Sequence, residues 1–266
     1  MNKNTFTRIP LAQGEIERYD FGAVRLHAYR TGDPIDDEVF ILEKDGQAVV
    51  LESPCFVDSN RALAAYLAEQ GLHVAGMLLA YHMAGATFLP DARKYATANA
   101  IAYGHAGGGR ALIDNFAQVF GNAFDASLHT VTDVLTAGPV VIGGIELIIV
   151  PTPDAFDVEI PEINAVYTHM LGHDCHSIVA GPGHADALLA QLQGYLDRGF
   201  TLVLTSHYTP EDLKDVQVKM DYLRRVKAIA AASPDADAFK AEVQRQYPGY
   251  NGGNYLDMTT GFFFGK

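Results

Sequence analysis

Cysteine is nearly absent. Only Cys55 and Cys175 occur in 266 residues, far apart and in no CxxC pair. That excludes a disulfide framework and a cysteine zinc site. Basic residues are also scarce: 19 Lys and Arg stand against 32 Asp and Glu, a formal net charge of −13. Such a surface repels phosphate backbones and anionic lipid, so neither nucleic acid nor a membrane is an expected partner. Long apolar runs are missing too. The opening "MNKNTFTRIPLAQGEIERYD" holds no core of signal-peptide length, and "PVVIGGIELIIVP" (139–151) is broken by glycines and a glutamate and too short to span a bilayer. A cytoplasmic location is the expectation. No linker, repeat or low-complexity tract divides the chain. The glycine-rich "GHAGGGRAL" (104–112) fits neither G-x-G-x-x-G nor a P-loop.

What is there is a globular alternation, with 48% hydrophobic residues. Strand-like runs cover 23–30, 38–45 and 47–54, the last two flanking Gly46 as a hairpin. A helix follows over 59–72, then the near-continuous apolar strand "VAGMLLAY" (74–81). The spacing predicts a short strand over 98–104 and a helix over 108–121. Two strands over 138–153 meet at Gly143-Gly144. A strand pair over 163–171 and 176–181 is read as a hairpin turning at "GHDC". Helices over 184–199, 210–232 and 237–247 and a strand over 201–207 complete the pattern. The expected architecture is α/β: a four-layer α/β/β/α sandwich of two mixed sheets. It forms a single domain over 1–266, with the helices of 210–250 packed on the outside.

Two strands end in histidine: "LLAYHMAGATFLP" (78–90) carries His82, and "TLVLTSH" (201–207) closes on His207. With the element order, these ends resemble the metallo-β-lactamase fold superfamily over nearly the whole chain. The tail, with Tyr222-Leu223 and Tyr247-Pro248, is similar as well. The superfamily's signature is H-x-H-x-D-H, a further histidine in a T-P-G-H-like turn, a bridging aspartate after a strand, and a last histidine. The resemblance implies a dinuclear zinc centre that turns a bridging water into hydroxide. Carried over residue by residue, His82 matches the first position and His207 the last. Ala84, Ala86 and Thr87 stand where His, Asp and His belong, Ala155 replaces the turn histidine, and Pro182 stands at the bridging position. If the strand over 163–171 is the one before the bridge, Asp174 takes that position instead. About two of seven ligand positions therefore remain, which is fewer than a catalytic zinc needs.

Other polar residues have plainer readings. His169, His173, Asp174, Cys175 and His176 decorate a strand and turn, pointing away from the site. His184 heads a helix and could lean into the pocket as a ligand, Asp154 and Asp157 sit in the turn around Ala155 as carboxylate candidates, and Tyr81 could donate into the cleft. The functional expectation has two forms. One is a metallo-β-lactamase-fold scaffold without a dinuclear centre and with no cofactor, binding a small molecule or partner in the cleft between the sheets. The other is a hydrolase of an ester, amide, thioester or phosphoester that works through His82 and His207. It would use an acid/base pair, or zinc or another divalent metal at a single rebuilt site with His184 or Asp154. Either form is compatible with a homo-oligomer.

Overall fold

A computed structural model describes residues 3–169 and 172–265. The chain divides into two compact units. One comprises Met1–His169 and Leu204–Pro210, the other Met170–Val203 and Glu211–Lys266.

The first unit is built on an eight-stranded sheet in the sequential order β1 to β8. Strands β1 (Thr7–Pro10), β2 (Glu15–Asp20), β3 (Arg25–Arg30), β4 (Glu38–Lys44) and β5 (Gln47–Leu51) pair antiparallel. The β4–β5 turn is Asp45-Gly46 with φ of 50° and 77°. That is the mirror-image turn whose twist suits a two-residue hairpin. Helix α1 (Val57–Glu69) crosses over to β6 (His73–Leu78), which joins β5 in parallel; β7 (Lys94–Thr97) and β8 (Asp133–Leu135) follow in parallel. Strands β4 and β5 are buried almost throughout, as their Val, Ile and Leu content dictates.

The expected strand over 98–104 is instead helix α2 (Ala98–Ala106). Thr97 decides it, because its hydroxyl accepts the Ala100 N–H at 3.2 Å and caps the alanine-rich run. Helix α3 (Gly108–Phe120) follows as expected. Strands β9 (Gly138–Ile142) and β10 (Ile145–Pro151) meet at Gly143-Gly144, φ 57° and 76°. A six-stranded sheet runs in the order β14-β13-β12-β11-β10-β9, with β11 (Phe156–Ile160), β12 (Ala165–Thr168), β13 (Leu202–Thr205) and β14 (Tyr208–Glu211). Pairings from β9 to β12 are antiparallel. The two sheets touch inside the first unit, where the Phe40 and Tyr167 rings lie 6.2 Å apart edge to face.

The second unit is mainly helical: α4 (Pro182–Arg198), α5 (Leu213–Ala232), α6 (Ala236–Gln246) and α7 (Gly253–Phe264). Helix α5 starts at Asp212 rather than Pro210, since the Asp212 carboxylate accepts the N–H groups of Lys214 and Asp215. The expected strand over 176–181 does not form. Its backbone is engaged elsewhere: His176 donates to the Asn251 carbonyl and Val179 to the Thr259 hydroxyl. The hairpin turning at "GHDC" is therefore absent. Met170 and Leu171, which end the other expected strand, lie outside the described residues. Among the described residues no helix is long and apolar enough to cross a membrane.

Candidate metal centre

Three strands of the first unit end in a histidine. Strand β6 runs out into Tyr81-His82, β12 into His169, and β13 into Ser206-His207. The Nε2 atoms of His82 and His207 are 3.3 Å apart. The ring of His169 sits 5.4 Å from His82 and 5.0 Å from His207, centre to centre. One ring nitrogen from each of the three falls within 4.8 Å of the others. His82 and His207 keep 10% and 17% of their side-chain surface exposed, so the cluster opens to solvent through a narrow front.

Burial is the main influence on their charge. It pushes His82 down to about 4 and His207 to about 3, with repulsion from His82 adding to the second. His169 is lowered well below its ordinary value by burial and then by the other two rings. All three are therefore neutral imidazoles near pH 7, the form that binds metal.

The scaffold behind the cluster is explicit. Glu52 is fully buried, and its carboxylate accepts the N–H groups of Ala80, Tyr81 and His82 at 3.2, 2.8 and 3.0 Å and the Tyr167 hydroxyl at 2.5 Å. That fixes the strand exit carrying His82. Tyr81 stacks on His169 with ring centres 4.2 Å apart and planes 11° from parallel, and its hydroxyl lies 3.0 Å from that of Thr152. The His169 carbonyl accepts the Ser206 N–H at 3.1 Å, and His207 Nδ1 donates to the Ile35 carbonyl at 3.1 Å.

The expectation that His169 points away from the site is thus overturned. With no strand over 176–181, the strand next to β11 is β12, and the residue at its exit is His169. Pro182 is the first residue of α4 in the second unit, and Asp174 lies in the turn that precedes it. His184 is on the same helix, where its Nδ1 accepts the Ala180 N–H at 2.9 Å. Asp154 is exposed in the 152–155 turn, and Ala155 is buried. Ala84 is 1% exposed and bridges Leu128. Gly85 and Ala86 donate their N–H groups to the carbonyls of Asp125 and Ser127. Thr87 donates both its N–H and its hydroxyl to the Asp125 carboxylate, at 3.0 and 2.5 Å. The 125–129 segment thus covers the loop of small residues.

A second carboxylate–histidine cluster lies in the second unit: His173, Glu211 and Asp215. Here the donors are already engaged. Glu211 accepts the N–H groups of Gly172 and His173 and also His173 Nδ1, at 3.0, 2.6 and 2.7 Å, so the group clamps a turn.

No family model matches the sequence, and no curated protein matches it. Solved structures do. The chain has the metallo-β-lactamase fold. DIM-1 metallo-β-lactamase is 15% identical with a TM-score of 0.52, over 81% of this chain and 99% of the other. A metallo-β-lactamase family protein from Thermus thermophilus gives 13% and 0.59, over 88% and 91%. The stereoselective inverting sec-alkylsulfatase Pisa1 from Pseudomonas sp. gives 14% and 0.60, over 90% of this chain. This chain spans about half the length of that sulfatase, 48% of it. The α/β sandwich expected from the sequence is therefore the fold observed, and its structural neighbours are metallo-β-lactamase-fold proteins.

Proposed function

We propose that this protein is a metal-dependent hydrolase of the metallo-β-lactamase fold with one metal ion, held by His82, His169 and His207. The carrying observation is the 3.3 Å between the Nε2 atoms of His82 and His207. Two nitrogens each about 2.0–2.1 Å from a tetrahedral ion lie about 3.3–3.4 Å apart, so the pair already has the bite of a zinc ligand set. Three neutral imidazoles with an open fourth position match a catalytic rather than a closed structural site. When bound, such an ion supplies Lewis acidity and a water that ionises near neutral pH.

The protein's own residues do the rest. Glu52 sets the direction of the His82 backbone, and Tyr81 holds the plane of His169. A small-molecule substrate fits this reading, and neither nucleic acid nor membrane is a partner in it. The metal-free scaffold has one observation on its side: Ala84, at a position where the resemblance calls for a ligand, is buried and bridges Leu128 of the 125–129 segment.

Elemental analysis of untagged protein, purified without added metal and again after zinc or cobalt loading, separates the two. About one ion per chain is expected, lost in His82→Ala, His169→Ala and His207→Ala alike, together with turnover on a panel of ester, thioester, amide and phosphoester substrates. Less than a tenth of an ion per chain after loading would leave the scaffold reading standing.

A further inference from the structure

The motif carried by His82 and His207 calls for no carboxylate at position 37, yet Asp37 is 1% exposed and sits directly behind both rings. Its Oδ1 lies 3.4 Å from His207 Nδ1 and 3.8 Å from His82 Nδ1. Among the described residues neither of its oxygens has a nitrogen or oxygen hydrogen-bond partner, the Cys55 thiol being the polar group beside it, and neither does His82 Nδ1; all three atoms are shielded from water. A buried carboxylate with so little compensation is destabilising, and burial raises Asp37 well above its ordinary value. This one is nonetheless held firmly in place. The Asp37 N–H donates to Asp33 Oδ1 at 3.3 Å, and its carbonyl accepts the Thr31 N–H and hydroxyl at 3.1 and 2.8 Å. The following residue, Glu38, donates its N–H to the Ser206 carbonyl at 2.6 Å, which ties position 37 to the stretch that carries His207.

We propose that Asp37 is a positioning residue for the metal: its carboxylate lies behind the Nδ1 atoms of both rings and, once an ion takes the Nε2 lone pairs, receives the hydrogen that His82 must then carry on Nδ1. The proposal rests on the three-histidine centre described above. His207 Nδ1 already carries its hydrogen, because it donates to the Ile35 carbonyl, so without an ion the 3.3 Å contact between the two Nε2 atoms takes its hydrogen from His82. For His82, the carboxylate oxygen that faces Nδ1 is that of Asp37. A carboxylate behind a ligand histidine fixes its tautomer and raises its basicity, and loss of such a partner typically weakens metal binding about 10–100-fold. Asp37 lies on the Nδ1 side of both rings, whereas the two Nε2 atoms converge on each other. An ion bound at Nε2 is out of its reach. The Cys55 thiol is the other group close by, within 4.8 Å of the Asp37 and His82 atoms.

The test uses the full chain and cobalt(II), titrated against a competing chelator. Wild type should take up one ion with nitrogen–oxygen ligand-field bands. Asp37→Asn and Asp37→Ala should still take up one ion, with affinity about 10–100-fold lower. The metal-free variants should melt no lower than wild type, which a merely structural role would not allow. Nitrogen-15 shifts of the zinc-loaded wild type give a readout that needs no variant: His82 and His207 are expected in the Nδ1–H form once the ion occupies Nε2. Unchanged cobalt affinity in both variants, or His82 bound to the ion through Nδ1 in the zinc-loaded protein, would overturn the role of Asp37 while leaving the metal centre intact. An intense thiolate-to-cobalt band would overturn it too, by making Asp37 and Cys55 ligands. Wild type that binds no cobalt would instead bring down the three-histidine centre, and this proposal with it.

Discussion

At the scale of single residues, Glu52 carries more of the site than any ligand. Its carboxylate satisfies three consecutive backbone N–H groups and one buried hydroxyl. Glu52→Ala leaves those donors without an acceptor in a region closed to water, at about 1–3 kcal/mol for each one orphaned. We expect a loss of about 3 kcal/mol or more in urea unfolding, and a smaller one for Glu52→Gln, which keeps one acceptor oxygen. Ala84 tests the opposite error. Restoring the histidine that the resemblance calls for, Ala84→His, forces a large ring into a position 1% exposed. Overpacking of this kind costs about 1–3 kcal/mol or more, so the variant should melt lower and hold no additional zinc by elemental analysis. The residues found and missed follow one logic. His82 and His207 are legible because each closes an apolar strand in a recognisable order. His169 does the same after "AVYT", but a cluster of His, Asp and Cys just beyond it makes a turn look like the end of a hairpin. The common signal is a polar residue before a histidine at a strand exit: Tyr81-His82, Thr168-His169, Ser206-His207. Asp37 is one of four acids within 33–38, and burial, the property that singles it out, leaves no mark on the sequence.

Among elements, strands that alternate with tight glycine turns are readable, because Asp45-Gly46 and Gly143-Gly144 require φ values that few other residues adopt. Helix α2 is not, since "ANAIAYG" is apolar enough for a strand and its deciding feature is a single hydroxyl just before it. Thr97→Ala removes that cap, and a loss of about 1 kcal/mol is expected from a thermal or urea melt, within the usual range for cap substitutions. The same hydroxyl also lies 3.4 Å from the Ala155 carbonyl. A stability change near zero would show that α2 does not depend on Thr97. Helix α7 escapes for a related reason: "GNYLDMTTGFFF" contains two glycines and little helical periodicity, and only Leu256 and Thr259 are buried.

For the whole molecule, metal and protons are the two levers. If the centre binds its ion at about 100–1,000 times the dissociation constant, linkage adds about 2.7–4.1 kcal/mol. Chelator treatment of loaded protein should then lower the melting temperature by several degrees, and added zinc should restore it. Protons should act in opposite directions in the two units. His129, lowered from 6.5 to about 4 chiefly by burial, stays neutral in the fold while the unfolded chain takes up a proton below 6.5. Its contribution is full above that value and is lost as the pH falls toward about 4, on the order of 2–4 kcal/mol in all. His173 is raised, first by its hydrogen bond to Glu211. Its contribution is full below 6.5 and is lost as the pH rises through the folded value. Relative to His129→Gln, wild type should lose stability on going from about pH 7 to about pH 5. Relative to His173→Gln, it should lose stability on going from about pH 6 to about pH 8. Parallel urea melts of the metal-free proteins check both signs, and the same sign for both pairs would contradict the burial of one or the ion pair of the other.

The pairing of the 125–129 segment with the 83–87 loop has a consequence for what the loop can become. Its backbone bonds to Met83, Gly85 and Ala86 use groups that every residue type possesses, but the side chain at 84 is buried beside them. A histidine at position 84 would have to loosen this pairing and lose stability before any ion could offset that loss. The packing therefore bounds the chemistry that position 84 can carry, whatever stands at the other strand exits.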